Sequence, residues 1–269
     1  MPDRPRRPPP SPYRGGMTHT EIDGVVATTE TMSMPMLSSY GHFTAMQVRG
    51  GRARGIGLHL ARLDGATREL YGQGLDKALV RERMRHALAS AGVSDASLRV
   101  YVHWPHGDER VTLTVTVREP FEEAPRPVRL LSVPYVRDFP HIKHLGSFGQ
   151  SRALTLASRA GYDEALLVAP DGTVTEGAVT NAAFWDGERV VWPDAPCLLG
   201  TVQAMLEPLL PSVRRRVTLA GLGGYRAAFV TNSRGISPVV GIDAVGYDVD
   251  TALMASVTSA HDSVDWDVI

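Results

Sequence analysis

Three side chains in this sequence have types and settings that suit chemistry on an aldehyde. Lys143 stands in PHIKHLGSF, with an apolar neighbour before it and Leu145 and Gly146 beyond. A lysine in solvent only carries charge, whereas one withdrawn from water loses its proton more readily and becomes a nucleophile for aldehydes. Glu176, in TEGAVTN, follows a β-run, and a carboxylate at a strand end can hold a protonated ring nitrogen. Arg62, in HLARL, offers a planar, permanently charged fork of the kind that clamps phosphate. Leu199-Gly200-Thr201-Val202 enters a helix and Thr231-Asn232-Ser233 follows a strand, so both segments can turn backbone N–H groups toward an anion. Taken singly, each residue has a plainer reading as a solvated surface group.

Other chemistries lack their signals. The sequence has no Cys/His cluster of zinc spacing, no GxGxxG, no P-loop and no GxSxG. His141 and His144 flank Lys143 but are a weak metal signal, and no metal is expected. Cys197, the single cysteine of 269 residues, excludes an internal disulfide and reads as a small buried side chain. Basic and acidic residues number 28 and 29, which argues against a nucleic-acid binder working through a general positive field. No apolar run reaches the length of a membrane span. Residues 1–16 are rich in Pro and Arg, which predicts a disordered leader without the apolar stretch of a secretory signal; Met17 is an alternative start. A cytoplasmic protein follows as the default.

The elements that must position these residues read as α+β. Residues 40–58 predict two strands around Gly50-Gly51. Leu60, Leu63, Ala66 and Leu70 recur at helical spacing over 59–72, closed by Gly72, and a second helix spans 76–91 with Asp76 as its N-cap. Strands follow at 98–104 and 110–117, across the turn PHGDE. Three prolines and three acids at 119–127 predict a boundary, giving a small N-terminal domain over 17–120, a linker over 121–127 and a larger domain over 128–269. The second part predicts a strand at 128–135, the Lys143 loop and a helix over 148–160. Strands follow at 164–168, 173–175, 181–185 and 189–192, then a helix from Gly200 to before Pro211. Strands at 227–231 and 237–242 and a helix over 251–259 close the chain.

The order of these segments carries more than any one of them. YGHFTAMQV, HLARL, HIKHLGSF, RAGYDEALLVAPDGTVTEGAVTN, LLGTV and FVTNSRGISPV follow one another over residues 40–242. In this the chain resembles the class IV (fold type IV) aminotransferases, a family that includes branched-chain and D-amino-acid aminotransferases and aminodeoxychorismate lyases. The resemblance implies pyridoxal 5'-phosphate as cofactor. It also implies a two-domain fold, with a small N-terminal α/β domain, a larger C-terminal β-rich domain and the cofactor between them. Lys143 would form the internal aldimine and shuttle the substrate's α-proton, and Glu176 would pair with the pyridine nitrogen. Arg62, the backbone at Gly200, Thr201 and Val202, and the Thr231/Asn232 pair would hold the phosphate. Tyr40, His42 and Phe43 would line the substrate side, and the protein would be a homodimer acting on an amino acid or keto acid.

Two positions depart from the family's usual pattern. Gly200-Thr201-Val202-Gln203 replaces Gly-Ile-Thr-Arg, and Phe148 stands five residues after the lysine, where some members have a tyrosine. The resemblance therefore implies an aminotransferase first. A lyase releasing pyruvate by elimination is the alternative, because HFTA resembles the matching strand of those lyases. A non-catalytic cofactor-binding protein is a third reading, which the presence of both Lys143 and Glu176 opposes.

Overall fold

The computed structural model describes residues 17–32, 38–104, 109–122 and 124–269. The leader at 1–16 and most of the PHGDE turn therefore lie outside the described residues. The chain divides into two compact units. The first unit takes the described residues of 17–122 together with 142–147 and 264–269; the second takes 124–141 and 148–263. The Lys143 loop thus packs with the first unit although it follows the proline-rich segment in sequence.

In the first unit, β1 (Met17–Ile22), β2 (Val25–Val26), β3 (Gly41–Val48), β5 (Ala96–His103) and β6 (Thr112–Arg118) form one sheet in the order β2-β1-β6-β5-β3. Helices α1 (Ile56–Tyr71) and α2 (Lys77–Ser90) cover one face. Alternation buries Met46, Val48, Leu98, Val100, Val102, Leu113, Val115 and Val117 against Leu60, Leu63, Val80, Met84 and Leu88 of the helices. Each such side chain taken out of water contributes about 1.5–3 kcal/mol before entropy is counted.

The expected hairpin over 40–58 is shorter than its sequence suggests. It consists of β3 and β4 (Arg52–Arg54), and residues 56–58 already belong to α1. The reason lies far along the chain. Gly55 takes a left-handed conformation (φ 63°) and gives α1 no side-chain cap. Instead Ile56 N–H donates to Asp267 Oδ2 (3.2 Å), delivered by β16 (Trp266–Val268), which pairs with β4. Ile269 then joins the core of this unit. The second helix begins where its sequence indicates, with Asp76 accepting from the N–H groups of Ala78 and Leu79.

The second unit is built on a nine-stranded sheet. Its order is β12 (Ser212–Arg215), β11 (Val190–Pro193), β10 (Asn181–Trp185), β13 (Ala227–Asn232), β14 (Gly235–Ile242), β7 (Val128–Pro134), β8 (Glu164–Val168) and β9 (Val174–Gly177), with β15 (Val245–Gly246) on β14. Every residue of β8 is buried, as expected of a strand parallel to its neighbour and covered on both faces. Ala153 and Ala157 of α3 (Phe148–Arg159) pack with Val133, Ala165 and Leu167 on one side. Leu130, Leu166, Phe184, Val191, Val230 and Tyr247 form the core on the other. Strands β1, β2, β12, β15 and β16 had no reading in the sequence: β12 carries Arg214 and Arg215 at a sheet edge, and β2, β15 and β16 are short. Helix α4 (Thr201–Leu206) is a single short piece, and α5 (Thr251–Asp262) is capped by Asp250.

Candidate active site

In the first unit the lysine loop lies along the free edge of β3. Phe43 N–H donates to the Lys143 C=O (2.9 Å) and Leu145 N–H to the Gly41 C=O (2.8 Å), with His42 and His144 bridged as in an antiparallel pair. These bonds fix the backbone on both sides of Lys143. Its Nζ stands 5.0 Å from the centre of the Phe43 ring. The Arg99 guanidinium is 5.9 Å from the same ring, whose other neighbour is Tyr101, stacked at 5.5 Å. Two cations thus share one aromatic side chain on the sheet face away from the helices.

Arg62 lies on α1 one turn after His59. The His59 imidazole is buried, 2.7 Å by its Nδ1 from Thr44 Oγ1. Burial pushes it down to about 3, and the positive charges of Arg62 and Lys143 push in the same direction. It is therefore neutral, and the fields of Arg62 and Lys143 overlap on it. Such a convergence of positive charge favours a bound anion.

The three residues expected at the substrate separate. Phe43 meets the Lys143 amine, as described. His42 sits on the opposite face of β3, fully buried, with Nε2 3.0 Å from Thr67 Oγ1. Thr67 gives its own proton to the Leu63 C=O, so His42 Nε2 is the donor in their bond. Burial, and then His103, push its pKa down to about 4. Tyr40 is 59 % exposed, packs edge-on against Tyr71 and donates its hydroxyl to the Leu70 C=O.

In the second unit the structure connects most of the remaining candidates. Glu176, near the end of β9, is buried and accepts from Arg137 Nη1 (3.2 Å) and from Leu198 N–H (3.4 Å). The Leu198 C=O accepts from Asn181 Nδ2 (2.7 Å). Asn181 Oδ1 in turn lies where a Cβ on Gly200 would come within 1.9 Å, so a side chain at position 200 would displace the Asn181 amide. Thr201 and Val202 open that helix, and their N–H groups precede its first turn bond, from Ala204 N–H to the Gly200 C=O. Thr231 is the strand partner of Asn181, and its hydroxyl is buried without a hydrogen-bond partner among the described residues. The Asn232 side chain is turned to the Val179 C=O and to Arg234 N–H. Cys197, beside Glu176, is pushed up to about 11 by burial and then by that carboxylate, so its thiol stays protonated.

This donor set suits a pyridoxal phosphate. A buried carboxylate with an arginine beside it can face a pyridinium nitrogen. Helix-start N–H groups and an orphaned buried hydroxyl suit a phosphate. Phe148 is 83 % exposed and offers no phenol, and Gln203 is buried in α4. Arg137, Asn181, His59 and Arg99 were not singled out from sequence. Asn181 closes the TEGAVTN motif and His59 opens HLARL, so position in a motif was the available signal for those two. Nothing local to Arg137 or Arg99 says which group each will meet.

Comparison with known proteins bears on the family and the fold. A family model described as Amino-transferase class IV matches residues 41–242. No curated protein matches the chain. A fold IV-transaminase from Curtobacterium pusillum superimposes with a TM-score of 0.78 at 22% identity, covering 90% of this chain and 94% of that one. A hypothetical aminotransferase from Mycobacterium tuberculosis in a PLP-bound form has a TM-score of 0.76 at 19% identity, covering 91% and 98%. A putative 4-amino-4-deoxychorismate lyase from Legionella pneumophila has a TM-score of 0.74 at 19% identity, covering 83% and 91%. At these identities the likeness is one of fold.

Proposed function

The chain belongs to the class IV amino-transferase family, and we propose that it moves an amino group between an amino acid and a 2-keto acid with pyridoxal 5'-phosphate as cofactor. When bound, that cofactor supplies an aldehyde that condenses with amines and a ring that draws electrons from the substrate α-carbon. With the cofactor bound, Lys143 would hold its aldehyde end and would move the substrate α-proton at Nζ. Glu176, with Arg137 beside it, would face the ring nitrogen. Arg62, the N–H groups of Thr201 and Val202, and the Thr231 hydroxyl would hold the phosphate. Gly200 lets the chain enter α4 against Asn181, and Asn232 orders the neighbouring turn. Phe43 would lie against the substrate, with Arg99 beside it for a carboxylate. His42 is turned to the core, and Tyr40 stands exposed just before β3.

The observation that carries this reading is the buried Arg137–Glu176 pair, linked through Leu198 and Asn181 to the start of α4. A homodimer is part of the proposal. It is supported by the exposed apolar side chains Phe139, Phe148, Val179 and Leu199 of the second unit and is checked by light scattering. Among the described residues no helix is long and apolar enough to cross a membrane. A cytoplasmic location rests on the amino-acid chemistry alone and is checked by fractionation.

The deciding experiment is a visible spectrum of the purified protein supplied with cofactor, followed by a donor panel. We expect a visible band that is lost in Lys143→Ala together with turnover, and keto acid formed from an amino donor only when a keto acceptor is present. Pyruvate released from aminodeoxychorismate without an acceptor would move the assignment to the lyase. Absence of any bound cofactor would sink it altogether.

A further inference from the structure

Helix α1 carries Arg62, yet the acceptor that closes its first turn comes from 211 positions further along the chain. Gly55 gives no side-chain cap, and the first turn holds no acidic residue. Leu58 and His59 both donate to the Gly55 C=O, which leaves the N–H of the buried Ile56 to find its partner outside the helix. That partner is Asp267 Oδ2 at 3.2 Å. The helix thus takes both its cap and a carboxyl group beside its positive end from β16.

The placement of Asp267 is fixed from several sides. β16 pairs with β4 in the register Trp266–Arg54, Asp267–Ala53 and Val268–Arg52, and Ile269 N–H donates to the Gly51 C=O (3.2 Å). Arg54 donates through Nε to the Val264 C=O (3.1 Å), and its guanidinium lies 4.6 Å from the centre of the Trp266 ring. Arg52 donates to the Trp266 C=O (3.2 Å), Arg81 of α2 donates to the Val268 C=O, and Ile269 is buried in the core. These contacts fasten a three-residue strand that a two-stranded pairing alone would hold only marginally.

A second anchor holds the same turn. His59 Nδ1 meets Thr44 Oγ1 of β3 (2.7 Å), next to the Phe43 whose N–H bonds the Lys143 C=O. Arg62 follows three residues later. In an α-helix the Cα–Cβ bond tilts toward the N-terminus, so a side chain at position 62 works over the turn that the two anchors hold.

We propose that Asp267 is a positioning residue: by closing the first turn of α1 it sets Arg62 for the cofactor phosphate. The inference rests on the phosphate role given to Arg62 above. Without the cap the first turn frays, and Arg62 must be ordered at the moment of binding.

The test uses the full chain and the variants Asp267→Ala, which removes the acceptor, and Asp267→Asn, which keeps one. Exchange of the Ile56 amide in the cofactor-free protein should be at least tenfold faster in Asp267→Ala, with Ala78 and Leu79 at the start of α2 unchanged. Pyridoxal phosphate should bind about fivefold more weakly, the size of one lost cap, and pyridoxal without its phosphate equally well. Asp267→Asn should stay close to wild type in all three. In an Arg62→Ala background, Asp267→Ala should bring no further loss, because it acts through the arginine. If Asp267→Ala does not melt cooperatively, Asp267→Glu, which moves the carboxyl group one methylene farther out, is held to the same outcomes. Equal loss for pyridoxal and its phosphate, additive losses in the double variant, or wild-type affinity in Asp267→Ala would each overturn the proposal. If the wild-type chain binds no cofactor, or Arg62→Ala binds it undiminished, the reading of the site itself falls and takes the proposal with it, an outcome distinct from those three.

Discussion

Arg137 and Glu176 form an ion pair of 3.2 Å in which both side chains are more than nine-tenths buried. Each is the wrong kind of group to bury alone, and in the second unit each offsets the other's charge. Replacing only the arginine, as Arg137→Met, removes one half of that compensation. We expect a loss of about 3–5 kcal/mol in denaturant unfolding and a weaker, shifted cofactor band. The double variant Arg137→Met/Glu176→Leu should recover most of the stability without recovering the band. Recovery of both would show that the pair is structural only.

Thr231 makes the opposite prediction. Its hydroxyl is buried with no hydrogen-bond partner among the described residues, so Thr231→Val removes a group that makes no bond there. The melting temperature of the cofactor-free protein should hold or rise. Affinity for pyridoxal phosphate should fall about tenfold, the value of a charge-assisted hydrogen bond near 1.4 kcal/mol. Affinity for pyridoxal without its phosphate should not change, and a drop there would remove Thr231 from the phosphate site.

Arg99 shares the Phe43 ring with Lys143. If it takes a substrate carboxylate, Arg99→Gln should raise KM for amino acids tenfold or more with a much smaller change in kcat. Simple amines without a carboxylate should lose nothing. Equal loss on both substrate classes would place Arg99 in the architecture of the sheet.

Acid should unfold the first unit through its buried histidines. His42 is held near 4 and His59 near 3, both first by burial. Unfolded, each takes up a proton near 6.5, so below that pH the unfolded chain binds protons that the folded chain refuses. Their contribution to stability is therefore full above 6.5 and drains as pH falls toward 4 and 3, at about 1.4 kcal/mol per unit of depression. Calorimetry between pH 7.5 and 4.5 should show this decline, and His42→Gln should make it shallower. An unchanged slope in that variant would mean that His42 is already charged in the folded protein.

Much of this was legible in the residues themselves. Helical spacing of Leu60 and Leu63 placed Arg62 on a helix, and Asp76 marked the start of the next one. The alternation in β6 and the solid apolar run of β8 announced their strands. These readings hold because they depend on neighbours within a few positions, where periodicity and capping are decided.

The sequence by itself thus determined most of the longer elements, the order of the motifs and the identity of Lys143, Glu176, Gly200 and Thr231 as the residues to watch. Tertiary structure alone decided their partners. It turned His42 to the core while Phe43 met Lys143, because a strand's period of two assigns faces only once its register against β5 is set. It brought Arg137 to Glu176 across 39 positions and Asp267 to the start of α1 across 211. Burial and pairing are properties of what closes around a group, and that is supplied by chain far away in sequence. Lys143 and Glu176 therefore acquire their chemistry from contacts that no local stretch of sequence contains.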